Sequence, residues 1–216
     1  MSTATDPVRF ADSALGECRH VCAFFATREE EYHTILPFIR EGLQKGERAF
    51  HVVDPAVRND HIERLRRAGV DVDSAHRTRQ LEIRVSAETH LRGGRFNVDG
   101  MLALVQHILQ TGLSLGFPRT RFVAHAESVL EDLMVGTDWL EYEARLNQVL
   151  ARYRDPVICT YDTRQFGAAV AVDILRTHPM VCLGGVLRHN PFFVPPNAFL
   201  RELAGRRACP REPLAG

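Results

Sequence analysis

RFVAHAE, Arg121–Glu127, decides how this chain is read. Its first half has the apolar density of a buried strand, and it breaks at the carboxyl end into a polar pair, His125 and Glu127. Alternation along a strand puts those two side chains on one face and Ala126 on the other. Further polar groups fall at comparable places, just past other predicted strands. In open α/β sheets, ligands bind at the carboxyl ends of the strands.

Outward from that stretch, short apolar runs recur. HVCAFF (20–25), RAFHVVD (48–54) and LEIRVS (81–86) precede it, and PVICTYD (156–162) and MVCLGGVL (180–187) follow. Helical periodicity fills the gaps. Thr27 with Glu30 makes a capping box before a helix that ends at Gly46, with Pro37 expected to kink it. Pro55 opens a second helix that ends at Ala68-Gly69, and 70–80 reads as a connector with one helical turn. Asn97 caps a helix to about Gly116, and Thr137 or Asp138 begins the next. Phe166 to Thr177 is helical, NPFFVPP (190–196) is an extended exit, and Ala198 to Leu203 is a short last helix. Strands alternating with helices predict an α/β fold: a three-layer, mostly parallel sheet with helices on both faces. Residues 1–17 read as a flexible arm, 18–204 as a single domain and 205–216 as a flexible tail.

The composition narrows the function. Hydrophobic residues at 45% and charged residues at 25% are ordinary globular values, and 216 residues suit one domain. Zero formal net charge argues against a nucleic-acid or anionic-membrane surface. No signal peptide or membrane span is legible, so a cytoplasmic protein with reduced thiols is expected. The five cysteines are scattered. His20 and Cys22 could form half of a zinc site, but nothing at standard spacing completes it, so no metal and no cofactor are expected.

The candidate site is the rim of strand ends. Thr27 and Arg28 follow the first strand, Asp54 the second, Ser86, Glu88 and His90 the third, His125 and Glu127 the fourth, and Tyr161, Asp162 and Arg164 the fifth. Each has a structural alternative. Asp54 and Asp162 suit helix or turn caps, and His125 with Glu127 suits a buried hydrogen-bonded pair. His20 and His51 read as satisfied core histidines, and Trp139 and Tyr142 as core packing. The polar loop AETHLRGGRFN (87–97) is of a length that often carries function. Standard enzyme motifs are absent. In particular, the loop after the first strand is FATREEE, with acids where a phosphate cradle needs glycine and lysine.

The order of motifs resembles the MEDS sensory domain, a family named for methanogen and methylotroph sensors and found in a dichloromethane-responsive regulator. The resemblance rests on 20–54, on LRGGRFNVDGMLAL, LEYEARLNQVL, CTYDTRQF and ILRTHPMVCLGG, and on the NPFFVPP exit. It covers roughly residues 18 to 203. It implies a RecA/KaiC-like fold without a phosphate-binding loop, and a sensory role for small, hydrocarbon-derived ligands in bacterial transcriptional regulation. It places Tyr142, Glu143 and Asn147 on the helix after the central strand and Tyr161-Asp162 at a strand end. The family more usually reads Gly-Glu-Met where this chain has His125-Ala126-Glu127, so the ligand chemistry is expected to differ. Family domains are often fused to DNA-binding, kinase or anti-sigma modules. None fits within these residues, so a regulatory partner protein is expected to supply one. The leading reading is therefore a ligand-binding sensory domain without catalysis. The alternatives are an enzyme using Glu127 as general base with His125, and a self-assembling interaction module that forms homo-oligomers.

Overall fold

The computed structural model describes residues 7–86, 96–126 and 136–208. Its frame is a seven-stranded sheet of β3 (His20–Phe25), β4 (Arg48–Val53), β5 (Leu81–Val85), β6 (Thr120–His125), β7 (Val157–Asp162), β8 (Met180–Leu183) and β9 (Val186–His189). The order across the sheet is β5-β4-β6-β7-β3-β8-β9. Every neighbouring pair is parallel except the terminal β8–β9 hairpin. β3, β4 and β6 are buried along their whole length. That is why they read in sequence as continuous apolar runs rather than as alternation.

Strand alternation divides the core in two. Cys22, Phe24, Phe122, Ala124, Cys159 and Tyr161 face α4 (Val98–Ser114), α5 (Gly136–Leu150) and α6 (Ala168–Thr177). Val21, Ala23, Phe25, Val123 and Ile158 face α1 (Arg28–Gln44), α2 (Arg58–Arg67) and α3 (Val72–Arg77). α1 begins as its sequence dictates: the Thr27 hydroxyl accepts the Glu30 N–H, and three acids fill the first turn at the positive end of the helix. Gly46 sits just beyond its end at φ +73°, a left-handed conformation that glycine adopts without strain. The helix continues through Pro37.

Three expectations are corrected. The N-terminal segment is not a flexible arm throughout. β1 (Arg9–Phe10) and β2 (Ser13–Ala14) form a hairpin that buries Val8, Phe10 and Leu15, and Phe10 meets Phe38 of α1 edge-on at 5.5 Å. Its turn uses Ala11 and Asp12 at positive φ, with no glycine to announce it. MVCLGGVL is not one strand but the β8–β9 hairpin, turning at Gly184 and Gly185, both at positive φ. The last helix, α7 (Pro196–Ala208), runs past Leu203 into the segment read as a tail. Its Phe199 and Leu203 pack on Leu140 and Ala144 of α5.

One close approach yields a prediction. A Cβ added to Gly42 would lie 2.5 Å from Cδ and Nε of Arg121. That side chain cannot step aside, because it is fully buried and donates to Glu47 and to the Phe38 carbonyl. Gly42→Ala is therefore expected to destabilise the fold by about 1–3 kcal/mol despite the higher helix propensity of alanine. Urea unfolding measures it, and a stabilised variant would show that Arg121 is free to move.

Candidate functional site

The sequence places its polar candidates on one rim. The structure sorts them into two buried networks on opposite faces of the sheet, with a small cleft between β3 and β7.

The first network lies under α1. His125 ends β6 pointing to that face, and its carboxylate partner is Glu31 from the first turn of the helix, Nδ1 to Oε1 at 3.1 Å. Both side chains are almost fully buried. Burial alone would raise the Glu31 carboxyl. The charge and hydrogen bond of His125, with help from Thr160 and Arg28, outweigh it and hold the group below its ordinary range. Beside this pair, the Tyr32 hydroxyl meets Nδ1 of His61 at 2.7 Å, and Nε2 of His61 meets Nδ1 of His51 at 2.9 Å. Glu127, expected to share a site with His125, lies outside the described residues, as do Glu88, His90 and 87–95 of the polar loop.

The second network lies under α5. Glu143 is fully buried, and its Oε1 accepts the Tyr161 hydroxyl at 2.8 Å. Its Oε2 lies 3.1 Å from Nε2 of His20 and 3.4 Å from Nε2 of His178. Sγ of Cys159 lies 3.6 Å from Nε2 of His20. Asn147, one turn beyond Glu143, presents Oδ1 to Nδ1 of His20 at 3.0 Å and donates Nδ2 to the Thr177 carbonyl at 2.8 Å. Glu143, Asn147 and Tyr161 are thus brought together as expected, but in the interior rather than on the rim. Tyr142 belongs instead to an aromatic cluster with Trp139 and Phe96, ring centres 5.1–5.7 Å apart. His178 and Cys159 were not singled out from sequence. Both sit in apolar runs, and only the crossing of β3, α5, β7 and the α6–β8 link brings them together.

The remaining candidates flank the cleft. Phe25, Thr27, Arg28, Glu31, Tyr161 and Asp162 line a narrow cleft of about 10 Å³, room for one water, above the paired ends of β3 and β7. α1 leaves β3 toward one face of the sheet, whereas α6 leaves β7 toward the other. Neighbouring strands whose helices diverge open a crevice at their carboxyl ends. The backbone at the start of α1 is already capped: Thr27 accepts the Glu30 N–H, and Glu30 Oε2 accepts the Ala26 N–H at 2.9 Å. Those donors are not free to cradle a phosphate. Asp162 accepts from the backbone N–H and the guanidinium of Arg164, so this pair closes a turn. Asp54 caps the short 3-10 turn Pro55–Val57 through the Ala56 N–H. Burial raises the thiol pKa values of Cys22 and Cys159, which makes neither a nucleophile in its protonated form. Among the described residues no helix is long and apolar enough to cross a membrane.

Against known proteins, one family model matches residues 19–179: MEDS, described as the MEthanogen/methylotroph, DcmR Sensory domain. No curated protein matches the chain. Among solved structures, it is similar to a KaiC-like protein from the hyperthermophilic archaeon Pyrococcus horikoshii OT3. The TM-score is 0.57 at 16% identity, over 82% of this chain and 76% of that one. At that identity the likeness concerns the fold alone: a RecA/KaiC-like α/β sheet.

Proposed function

Because the chain belongs to the MEDS family of sensory domains, we propose that it binds a small, hydrocarbon-derived molecule in the cleft between β3 and β7, without turning it over, and passes the signal to a regulatory partner protein. The observation that carries this reading is the placement of that cleft at a crevice where neighbouring strands send their helices to opposite faces. The cleft as it stands admits about one water, so a ligand of a few heavy atoms would enter by parting the start of α1 from the strand ends. Phe25 and Tyr161 supply apolar surface, while Arg28, Glu31 and Asp162 supply both signs of charge. Glu31 connects the cleft to His125 and so to the end of the central strand. A ligand that engages Glu31 or Arg28 would loosen that pair and shift the start of α1, a movement a partner can read. A DNA-binding, kinase or anti-sigma protein is the kind of partner this reading calls for.

The test combines native mass spectrometry, for co-purified small molecules, with a thermal-shift screen of short alcohols, aldehydes, amines and halogenated hydrocarbons. A ligand at a hundredfold its Kd is expected to add about 2.7 kcal/mol of stability. Arg28→Ala is expected to abolish that gain and leave the unliganded midpoint within a few degrees. A gain retained in this variant would place the site elsewhere, and steady consumption of the compound would make the protein an enzyme.

Self-association has its own support. Leu183, Val186 and Phe192 are about half exposed or more at the β8–β9 edge and the exit after it. Light scattering across a hundredfold concentration range separates the readings, since a sensor that needs no assembly keeps one size.

A further inference from the structure

The network under α5 holds more electron pairs than protons. Nδ1 of His20 faces the Asn147 carbonyl oxygen, whose amide nitrogen is committed to the backbone carbonyls of Glu143 and Thr177. Nδ1 of His178 faces the Ile174 carbonyl at 2.9 Å. Both rings therefore carry their proton on Nδ1, and both Nε2 atoms present bare lone pairs to Oε2 of Glu143. That oxygen and Nε2 of His178 are fully buried, and with these tautomers no imidazole proton lies along the 3.1 and 3.4 Å approaches of the two rings to it. The Cys159 thiol can give one proton to His20, but nothing stands between the carboxylate oxygen and His178. Three lone-pair atoms converging in a dry interior repel one another unless a positive charge sits among them.

We propose that His20, Glu143, Cys159 and His178 form a closed four-coordinate site for a divalent transition metal, with zinc the best fit. The four ligand atoms all lie within 4.8 Å of one another. A tetrahedral zinc centre with ordinary bond lengths spaces its nitrogen and oxygen ligands ~3.3 Å apart and nitrogen from sulfur ~3.6 Å. Three of the six edges, at 3.1, 3.4 and 3.6 Å, match those values, and the other three lie within 4.8 Å and would tighten on binding. Two imidazoles, a carboxylate and a thiolate are a borderline-soft set, which suits zinc over magnesium or calcium. The outer contacts are those of a metal site: each ring donates its far nitrogen to an oxygen, and Tyr161 holds the second carboxylate oxygen. Binding converts the Cys159 thiol to thiolate and releases its proton to solvent, with no redox change. All four protein ligands are supplied and all are buried, so no position is left for water or substrate and the role is structural. The competing source of positive charge is an extra proton on His20 or His178, donated from Nε2 to Glu143; the metal content of the protein separates the two.

The full chain, expressed with zinc in the medium, is expected to carry one metal per chain by elemental analysis, and to release it only on unfolding with chelator. Refolded with cobalt, it should show the visible bands of tetrahedral Co(II) and a thiolate-to-cobalt charge-transfer band. Cys159→Ser should lose the charge-transfer band. Cys22→Ser, which alters a neighbouring buried cysteine outside the set, should keep it. Asn147→Leu should weaken the metal about tenfold or more, by removing the acceptor that orients His20 and the amide that holds the Glu143 and Thr177 backbone. If Cys159→Ser fails to fold, the charge-transfer band of the wild-type cobalt protein still reports thiolate ligation. Wild-type protein that refolds fully in chelator and takes up neither metal would overturn the proposal. So would a cobalt spectrum without thiolate character, or one that Cys159→Ser leaves unchanged. These outcomes do not depend on whether the β3–β7 cleft binds a ligand.

Discussion

Glu47→Ala is expected to lose about 3–5 kcal/mol of stability at neutral pH, a large share of what a domain of this size possesses. Glu47 follows α1 and is 6% exposed. One carboxylate oxygen accepts from Arg119 at 2.7 Å and the other from Arg121 at 2.5 Å. Arg121 is fully buried at the second position of β6, stacked 4.7 Å from the Phe38 ring centre. Removing the carboxylate leaves two guanidinium groups in the interior, with the partly exposed Glu41 beside Arg121 and the buried Asp155 within reach of Arg119. The loss comes from stranding those charges rather than from the intrinsic strength of the pairs. Glu47→Gln, which keeps an acceptor and drops the charge, should fall between. Glu63→Ala, an exposed partner of Arg67, should change stability by less than about 1 kcal/mol. Urea midpoints at constant slope supply the comparison. If Glu47→Ala behaved like Glu63→Ala, the arginines would have to reach water on their own.

Acid should weaken the fold well above the range where carboxylates titrate. Burial, followed by the charge of His125, pushes His51 down to about 3. Burial, followed by His51, His125 and Arg28, holds His61 well below the ordinary imidazole value. In the unfolded chain both return to near 6.5. As pH falls below about 6.5 the unfolded state binds protons that the folded state refuses, so stability is full above that pH and declines on the way down to about 3. For His51 the slope is ~1.4 kcal/mol per pH unit, so roughly 2 kcal/mol is lost between pH 6.5 and 5, and His61 adds a loss of the same sign. The depressed Glu31 carboxyl acts in the same direction, but only as pH drops through the carboxylate range. Unfolding free energy measured at half-unit steps from pH 7.5 to 4.5 should show this slope, and His51→Phe should flatten it even if that variant is weaker at pH 7. A wild-type curve level between pH 6.5 and 5 would mean that these histidines already carry protons inside the fold.

Much of this fold was legible because its signals are local. The Thr27–Glu30 capping box, the Asn97 cap and the glycines closing α1 and α4 each mark an element boundary with residues next to one another in sequence. The hairpin at 9–14 escaped because Ala11 and Asp12 take a turn conformation their types do not advertise. The site was legible by residue and not by partner. Glu143, Asn147 and Tyr161 do converge, together with Cys159 of the same strand as Tyr161, but on His20 and His178, which come from two other places in the chain. His125 is paired to Glu31 across 94 residues rather than to its neighbour by alternation. A strand alternates its side chains by local geometry, but the element packed on each face is decided by topology, which short-range patterns do not carry.

The position of β3 also sets the order in which the protein can be made. It is the first strand of the large sheet to leave the ribosome, yet its hydrogen-bonding neighbours are β7 and β8, the latter about 160 residues downstream. β4, β5 and β6 can pair among themselves much earlier. During synthesis, HVCAFF must therefore wait with both edges open, as an apolar segment ready to pair with any strand it meets. Closing so long a loop is slow, and a slow centre favours chaperone capture or misassembly in the interval. Chains halted before residue 183 would carry that segment with an edge unpaired, so nascent-chain proteolysis should find 20–25 protected only once β8 has emerged.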